Sequence, residues 1–123
     1  MEGQTGIYVF TLTDDAGQAI DKADLLFLTL TYWDHITTAI VNSRLNQDVL
    51  DQNDVTVLTE IPAGGSDPVT TVTWFLQPAD TQLVDARHGM ESHMALFQWA
   101  WGDPEQRAAL QVQFDVHNLT YVP

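Results

Sequence analysis

Apolar and polar side chains alternate along most of this chain with a period of two, the pattern of strands that bury one face and leave the other in water. The cleanest series lies near the C-terminal end, where Leu110, Val112, Phe114 and Val116 alternate with Gln111, Gln113, Asp115 and His117. Leu26, Leu28, Leu30 and Tyr32 form a second series, and its intervening positions (Phe27, Thr29, Thr31, Trp33) are themselves partly apolar. Val72, Trp74 and Leu76 form a third against Thr71, Thr73 and Phe75. Ala95, Phe97 and Trp99 alternate with Met94, Leu96 and Gln98 in a fourth. Residues 7–12 predict a strand with Tyr8, Phe10 and Leu12 on one face. Residues 55–58 predict a short sixth strand, and the Thr- and Ile-rich stretch 36–41 a seventh.

Turn chemistry separates these runs. Asp14-Asp15-Ala16-Gly17 reads as a turn closed by Asx side chains, with glycine at positive φ. Residues 62–68, with two prolines and two glycines, read as a loop, and Gly102-Asp103-Pro104 links the last two strands. Pro78 opens a stretch without alternation, 78–84, that suits one helical turn. Residues 42–53 are polar with isolated Leu45, Val49 and Leu50, and read as an irregular connection holding at most one helical turn. No run predicts a helix of ten residues. About seven short antiparallel strands with regular turns point to an all-β, immunoglobulin-like two-sheet sandwich, a partly open barrel being the competing architecture.

Composition narrows the class. The chain of 123 residues reads as one domain, 1–123, with 1–6 a candidate N-terminal arm. Seventeen acids against four bases give a net charge of −13, which disfavours nucleic acid and anionic membranes as partners. There is no cysteine, so disulfides and thiol chemistry are excluded. No apolar run approaches the ~18–20 residues a membrane span needs, and the start does not read as a signal peptide.

Candidate chemistry is sparse. His88, Glu91 and His93 cluster in sequence, but their spacing matches no zinc motif. Asp48, Asp51 and Asp54 recur every three residues without the alternate acids, glycine and terminal glutamate of a calcium loop. Ser92 and Thr37 flank histidines in ordinary strand or loop contexts, and no nucleophile elbow or phosphate loop is present. No enzyme activity, cofactor or metal is expected. Trp74 is in phase with core positions. Trp99 and Trp101 share a face with Phe97 and Ala95, which reads as core, or as a partner or sugar platform if exposed. Trp33 and Trp101 are the candidates for a glycan platform. Asn118-Leu119-Thr120 fits a glycosylation sequon by chance composition.

The order of certain segments resembles a known group. They are Thr13-Asp14-Asp15-Ala16-Gly17-Gln18-Ala19-Ile20, then Ala23-Asp24-Leu25 leading into Leu28-Thr29-Leu30-Thr31, then Asn42-Ser43-Arg44 and Asn46-Gln47-Asp48-Val49-Leu50-Asp51-Gln52-Asn53. Later come Thr73-Trp74-Phe75-Leu76-Gln77-Pro78-Ala79-Asp80 and Glu91-Ser92-His93-Met94-Ala95-Leu96-Phe97-Gln98-Trp99. Together they resemble small immunoglobulin-like structural proteins of tailed-bacteriophage virions, and the N-terminal domain of phage baseplate upper proteins. The resemblance covers nearly the whole chain as a pattern of strands and turns, and brings no catalytic motif. It implies a non-enzymatic virion subunit, made in the host cytoplasm and placed on the outer surface of the particle. A capsid decoration (cement) protein is the first expectation, and a neck, tail or baseplate accessory subunit the second. Its partners would be the major capsid protein or other virion proteins, in a homo-oligomer or symmetric multi-copy assembly. Interface positions expected on this reading are Gly3, Gln4 and Thr5 in the arm, Asn46, Asp48 and Asp51 in the connection, and Trp99 and Trp101 if their face is exposed. A carbohydrate-binding module for host-surface adsorption is the alternative of another class.

Overall fold

A computed structural model describes residues 6–80, 90–102 and 104–117. Among the described residues, seven strands form two antiparallel sheets. They are β1 (Gly6–Thr11), β2 (Leu25–Asp34), β3 (Gln47–Asp48), β4 (Val55–Glu60), β5 (Val69–Leu76), β6 (Met90–Trp101) and β7 (Gln106–His117). The smaller sheet has the order β1-β5-β4 and the larger β3-β2-β6-β7. This is the β-sandwich that the period-two pattern predicts. Short 3-10 turns at Lys22–Asp24 and Pro78–Asp80 complete the elements; the second falls inside the stretch read as a helical turn, of which 81–84 lie outside the described residues.

The inward faces of both sheets meet in one core. Leu28, Leu30, Tyr32, Val72, Trp74, Ala95 and Phe97 have no exposed surface. Trp74 sits at the centre, with Tyr32, Phe97 and Phe114 edge-on to its indole at 5.2, 5.7 and 5.7 Å between ring centroids. Such edge-to-face pairs stabilise a core beyond the area they bury. Trp99 and Trp101 belong to this core, with 7% and 8% of their surface exposed.

Two details depart from the sequence reading. The stretch 36–41 is not a strand. Asp34 closes a tight turn there, its Oδ2 accepting from the Thr37 amide at 2.9 Å and the Thr37 hydroxyl at 2.6 Å. Thr38 takes φ +61° and Ile36 is 79% exposed. Only Ile40 bridges back, to Trp33. The seventh strand is instead the two-residue β3, inside the connection 42–53. The second departure is a bulge between Leu25 and Phe27, which shifts the phase of β2. Leu25 is buried and Leu26 is 54% exposed, the reverse of an unbroken alternation.

The turns are built as their residues suggest. Asp14 Oδ1 accepts from the Ala16 and Gln18 amides at 2.9 and 3.0 Å, and Gly17 takes φ +77°. Between β4 and β5, residues 61–68 are exposed at every position, closed by the Gly65 amide donating to Pro62 O at 2.9 Å.

Candidate functional site

Two polar clusters lie inside the sandwich. The inward phase of β2 runs Leu28, Leu30, Tyr32 and on to Asp34, and that of β6 runs Glu91, His93, Ala95, Phe97. The register pairs Asp34 with His93, so Asp34, Glu91 and His93 meet at one end of the core. One potential ligand atom from each lies within 4.8 Å of the others. All three are buried, at 1%, 5% and 0% exposed. His93 Nε2 is 3.0 Å from Glu91 Oε1 and His93 Nδ1 is 3.3 Å from the Tyr32 hydroxyl. Burial raises the Tyr32 phenol well above its ordinary range, the Asp80 charge adding to the effect and Arg44 opposing it. A protonated phenol can donate to Nδ1 or accept from it, and a proton on Nε2 would be donated to Glu91. Two carboxylates and an imidazole are a donor set that zinc or another divalent metal accepts. Here each already has a protein partner, since Asp34 also holds the Thr37 turn. The arrangement as folded is a satisfied polar network.

The second cluster centres on Arg44, which is 1% exposed. All five of its guanidinium protons are used. Nε and Nη2 form a two-point contact with Asp80 at 2.6 and 3.0 Å, and Nη2 also donates to Asp54 at 3.0 Å. Nη1 donates to Gln47 Oε1 at 2.5 Å and Asn53 O at 3.1 Å. The cation lies 5.5 Å from the centre of the Trp74 ring. Asp80 is buried too, and accepts from Asn42 and from the Gln77 amide. Burial works against the Arg44 cation, but hydrogen bonds and charge contacts with Asp80 and Asp54 outweigh it and raise its pKa. The cluster ties the connection 42–54 to the turn that follows β5.

The residues expected at an interface are distributed differently. Asn46 exchanges hydrogen bonds with Thr31 on β2, its amide donating to Thr31 Oγ1 at 3.0 Å. Asp48 pairs with Thr29 across β3 and β2 and accepts from the Leu50 amide. Asp51 pairs with Lys22 and accepts from the Val57 amide at 3.0 Å. The three acids at 48, 51 and 54 therefore serve three different partners and do not converge on a cation. Trp99 and Trp101 are taken off the surface by burial, because the odd positions of β6 face the core. Gly3, Gln4, Thr5 and His88 lie outside the described residues. Compared with family models, curated proteins and solved structures, the chain matches none.

Sequence reasoning singled out Glu91 and His93 with His88, but missed Asp34 as their neighbour and missed the Arg44 cluster altogether. The phase of β2 and β6 held the signal for the first, since Asp34, Glu91 and His93 continue inward series. Arg44 gave a fainter one, as one of only four bases in the chain.

Charge is segregated outside the core. Ten strand positions face outward on the small sheet, and Glu60 is the one charged residue among them. Ile7, Val9, Leu58 and Phe75 on that face are 65%, 52%, 53% and 40% exposed. On the described outer face of the large sheet the charges are Asp48, Arg107 and Asp115. Most of the other described carboxylates sit in the loops. Among the described residues, one surface cleft is lined by Gly6, Ile7, Phe75, Leu76 and Gln77 and another by residues of the 11–19 and 67–70 segments. Neither is lined by the Asp34, Glu91 and His93 cluster.

Proposed function

We propose that this chain is a non-enzymatic structural subunit of a tailed-bacteriophage virion, a decoration protein on the outside of the capsid shell. The observation that carries this reading is the near-neutral, partly apolar outer face of the small sheet in a chain of charge −13. Apolar residues gathered on one exposed face mark interaction surfaces, while the acidic loops keep free subunits soluble and away from packaged nucleic acid. The strand-and-turn resemblance to phage immunoglobulin-like proteins supports the choice of assembly. Quantitative mass spectrometry of the purified particle tests it. One copy per capsid subunit, or one per three, is the expected ratio. A few to a dozen copies per particle moves the protein to the neck, tail or baseplate, and its absence from the particle overturns the virion reading.

One observation favours a second reading, a carbohydrate-binding module for adsorption to a host surface. Trp33 is half-exposed on the outer face of the large sheet, in a row with Met94 and Gln113. A partly exposed indole face is a surface on which a sugar ring stacks. Quenching of tryptophan fluorescence by host polysaccharide, lost in Trp33→Ala, would support it; no quenching removes it.

A further inference from the structure

Strand β7 is an edge. It is hydrogen-bonded to β6 along its whole length, and among the described residues no strand lies on its other side. It runs for 12 residues without proline. The other edges near the connection are protected: β3 is two residues long, and on β4 the Val57 amide is capped by Asp51 and the Lys22 amide donates to Thr59 Oγ1. A long, regular edge with free N–H and C=O groups is a template for another strand. Its inward side chains are also incompletely covered. Ala108, Leu110, Val112 and Phe114 are all half-exposed, as are Tyr8 and Phe10 across from them on β1.

We propose that β7 pairs antiparallel with β7 of a second copy of this chain, about a two-fold axis at Gln111, joining two four-stranded sheets into one of eight. The strand's own sequence selects this partner and this register. With the axis at Gln111, Arg107 faces the copy's Asp115 and Asp115 faces the copy's Arg107, so the two charged outward residues described on β7 neutralise each other twice. On the inward face Ala108 meets Phe114 and Leu110 meets Val112, small against large and branched against branched. Ala109 meets Gln113, and Gln111 meets itself. Moving the axis to Leu110 sets Asp115 opposite Glu105, and moving it to Val112 sets Asp115 opposite Ala109. A slip that places outward residues against inward ones is excluded by the pleat. Arg107 is free to make the new contact. Its side chain is 70% exposed, and its present partners are Glu105 at 2.6 Å and the face of Phe27 at 5.5 Å. Asp115 accepts from Ser92 Oγ at 3.0 Å and keeps oxygens to spare. The pairing stands whether or not the protein belongs to a virion.

The test uses the full chain. Light scattering and sedimentation equilibrium are expected to give twice the 13.7 kDa chain mass. Asp115→Arg sets like charges opposite each other twice and is expected to weaken the dimer about tenfold or more. The swap Arg107→Asp with Asp115→Arg restores it, which a merely destabilised fold would not do. The chain has no cysteine, so crosslinking has no background. Facing residues in an antiparallel pair lie about 4.5–5.5 Å apart at Cα, within disulfide range. Gln111→Cys is therefore expected to oxidise to a covalent dimer, and Gln113→Cys, which faces Ala109, is not. A chain that stays monomeric at about 100 times a micromolar Kd overturns the proposal and leaves the edge to a strand from another protein. A dimer indifferent to Asp115→Arg alone, or one that crosslinks as well at 113 as at 111, overturns it too.

Discussion

The side of the sandwich bounded by β3 and β4 and the side bounded by β1 and β7 are finished by different means. On the first, the connection 42–54 folds over the sheet edges and is fastened through Arg44. Val41, Val49, Val55 and Val57 there are 5% exposed or less. On the second, Tyr8, Phe10, Leu110, Val112 and Phe114 remain half-exposed and the backbone of β7 is open to one flank. The same core is thus sealed by a buried ion network on one flank and left for another chain on the other. The difference teaches that an edge can be closed with polar groups, provided every donor and acceptor finds a partner.

The largest effect should come from breaking the sealed side. Arg44→Met leaves Asp80 buried without its cation and is expected to cost about 3–5 kcal/mol in urea unfolding. Adding Asp80→Asn removes the stranded charge and should recover much of that loss. A loss under about 1 kcal/mol for the single variant would mean that the network does not fasten this flank. The next effect sharpens the contrast within the core. Phe97→Ala, at a site with no exposed surface, should cost about 3–5 kcal/mol. Phe114→Ala, half-exposed on the open flank, should cost about 1–2 kcal/mol. Equal losses would show that the two flanks are packed alike.

The smallest effect concerns Asp51, whose carboxylate is held below the ordinary value of 3.8 by the Lys22 side chain first and the Val57 amide second. A depressed folded pKa stabilises the fold above the unfolded value and loses that contribution as pH falls below it. Asp51→Asn should therefore lower stability near neutral pH by about 0.5 kcal/mol, because the pair is exposed. Its difference from the parent chain should vanish in unfolding measured below the ordinary carboxylate range. A difference that persists in acid would assign the effect to the Val57 contact and not to charge.

Most strands were legible because alternation along a half-buried strand is a local property. Where the reading failed, the deciding contact was not local. Residues 36–41 have strand-forming side chains, but Asp34 captures Thr37 and turns the chain before a ladder can form. Leu26 carries the residue type of a core position, and a bulge set by pairing with β6 turns it outward. The interface expected at Trp99 and Trp101 dissolved for a related reason. Their shared face was readable, and which side of the sheet it takes depends on where the other sheet packs. Arg44 was the least legible, since its main partner Asp80 lies 36 positions away.

The loop at 61–68 has a practical consequence. It exposes all of its residues to solvent and carries Pro62 and Pro68 near its two ends. Exposed loop tips of this kind accept inserted sequence with little loss of folding. A foreign peptide spliced there would ride on the sandwich as cargo, displayed once per subunit and repeated wherever the subunit repeats.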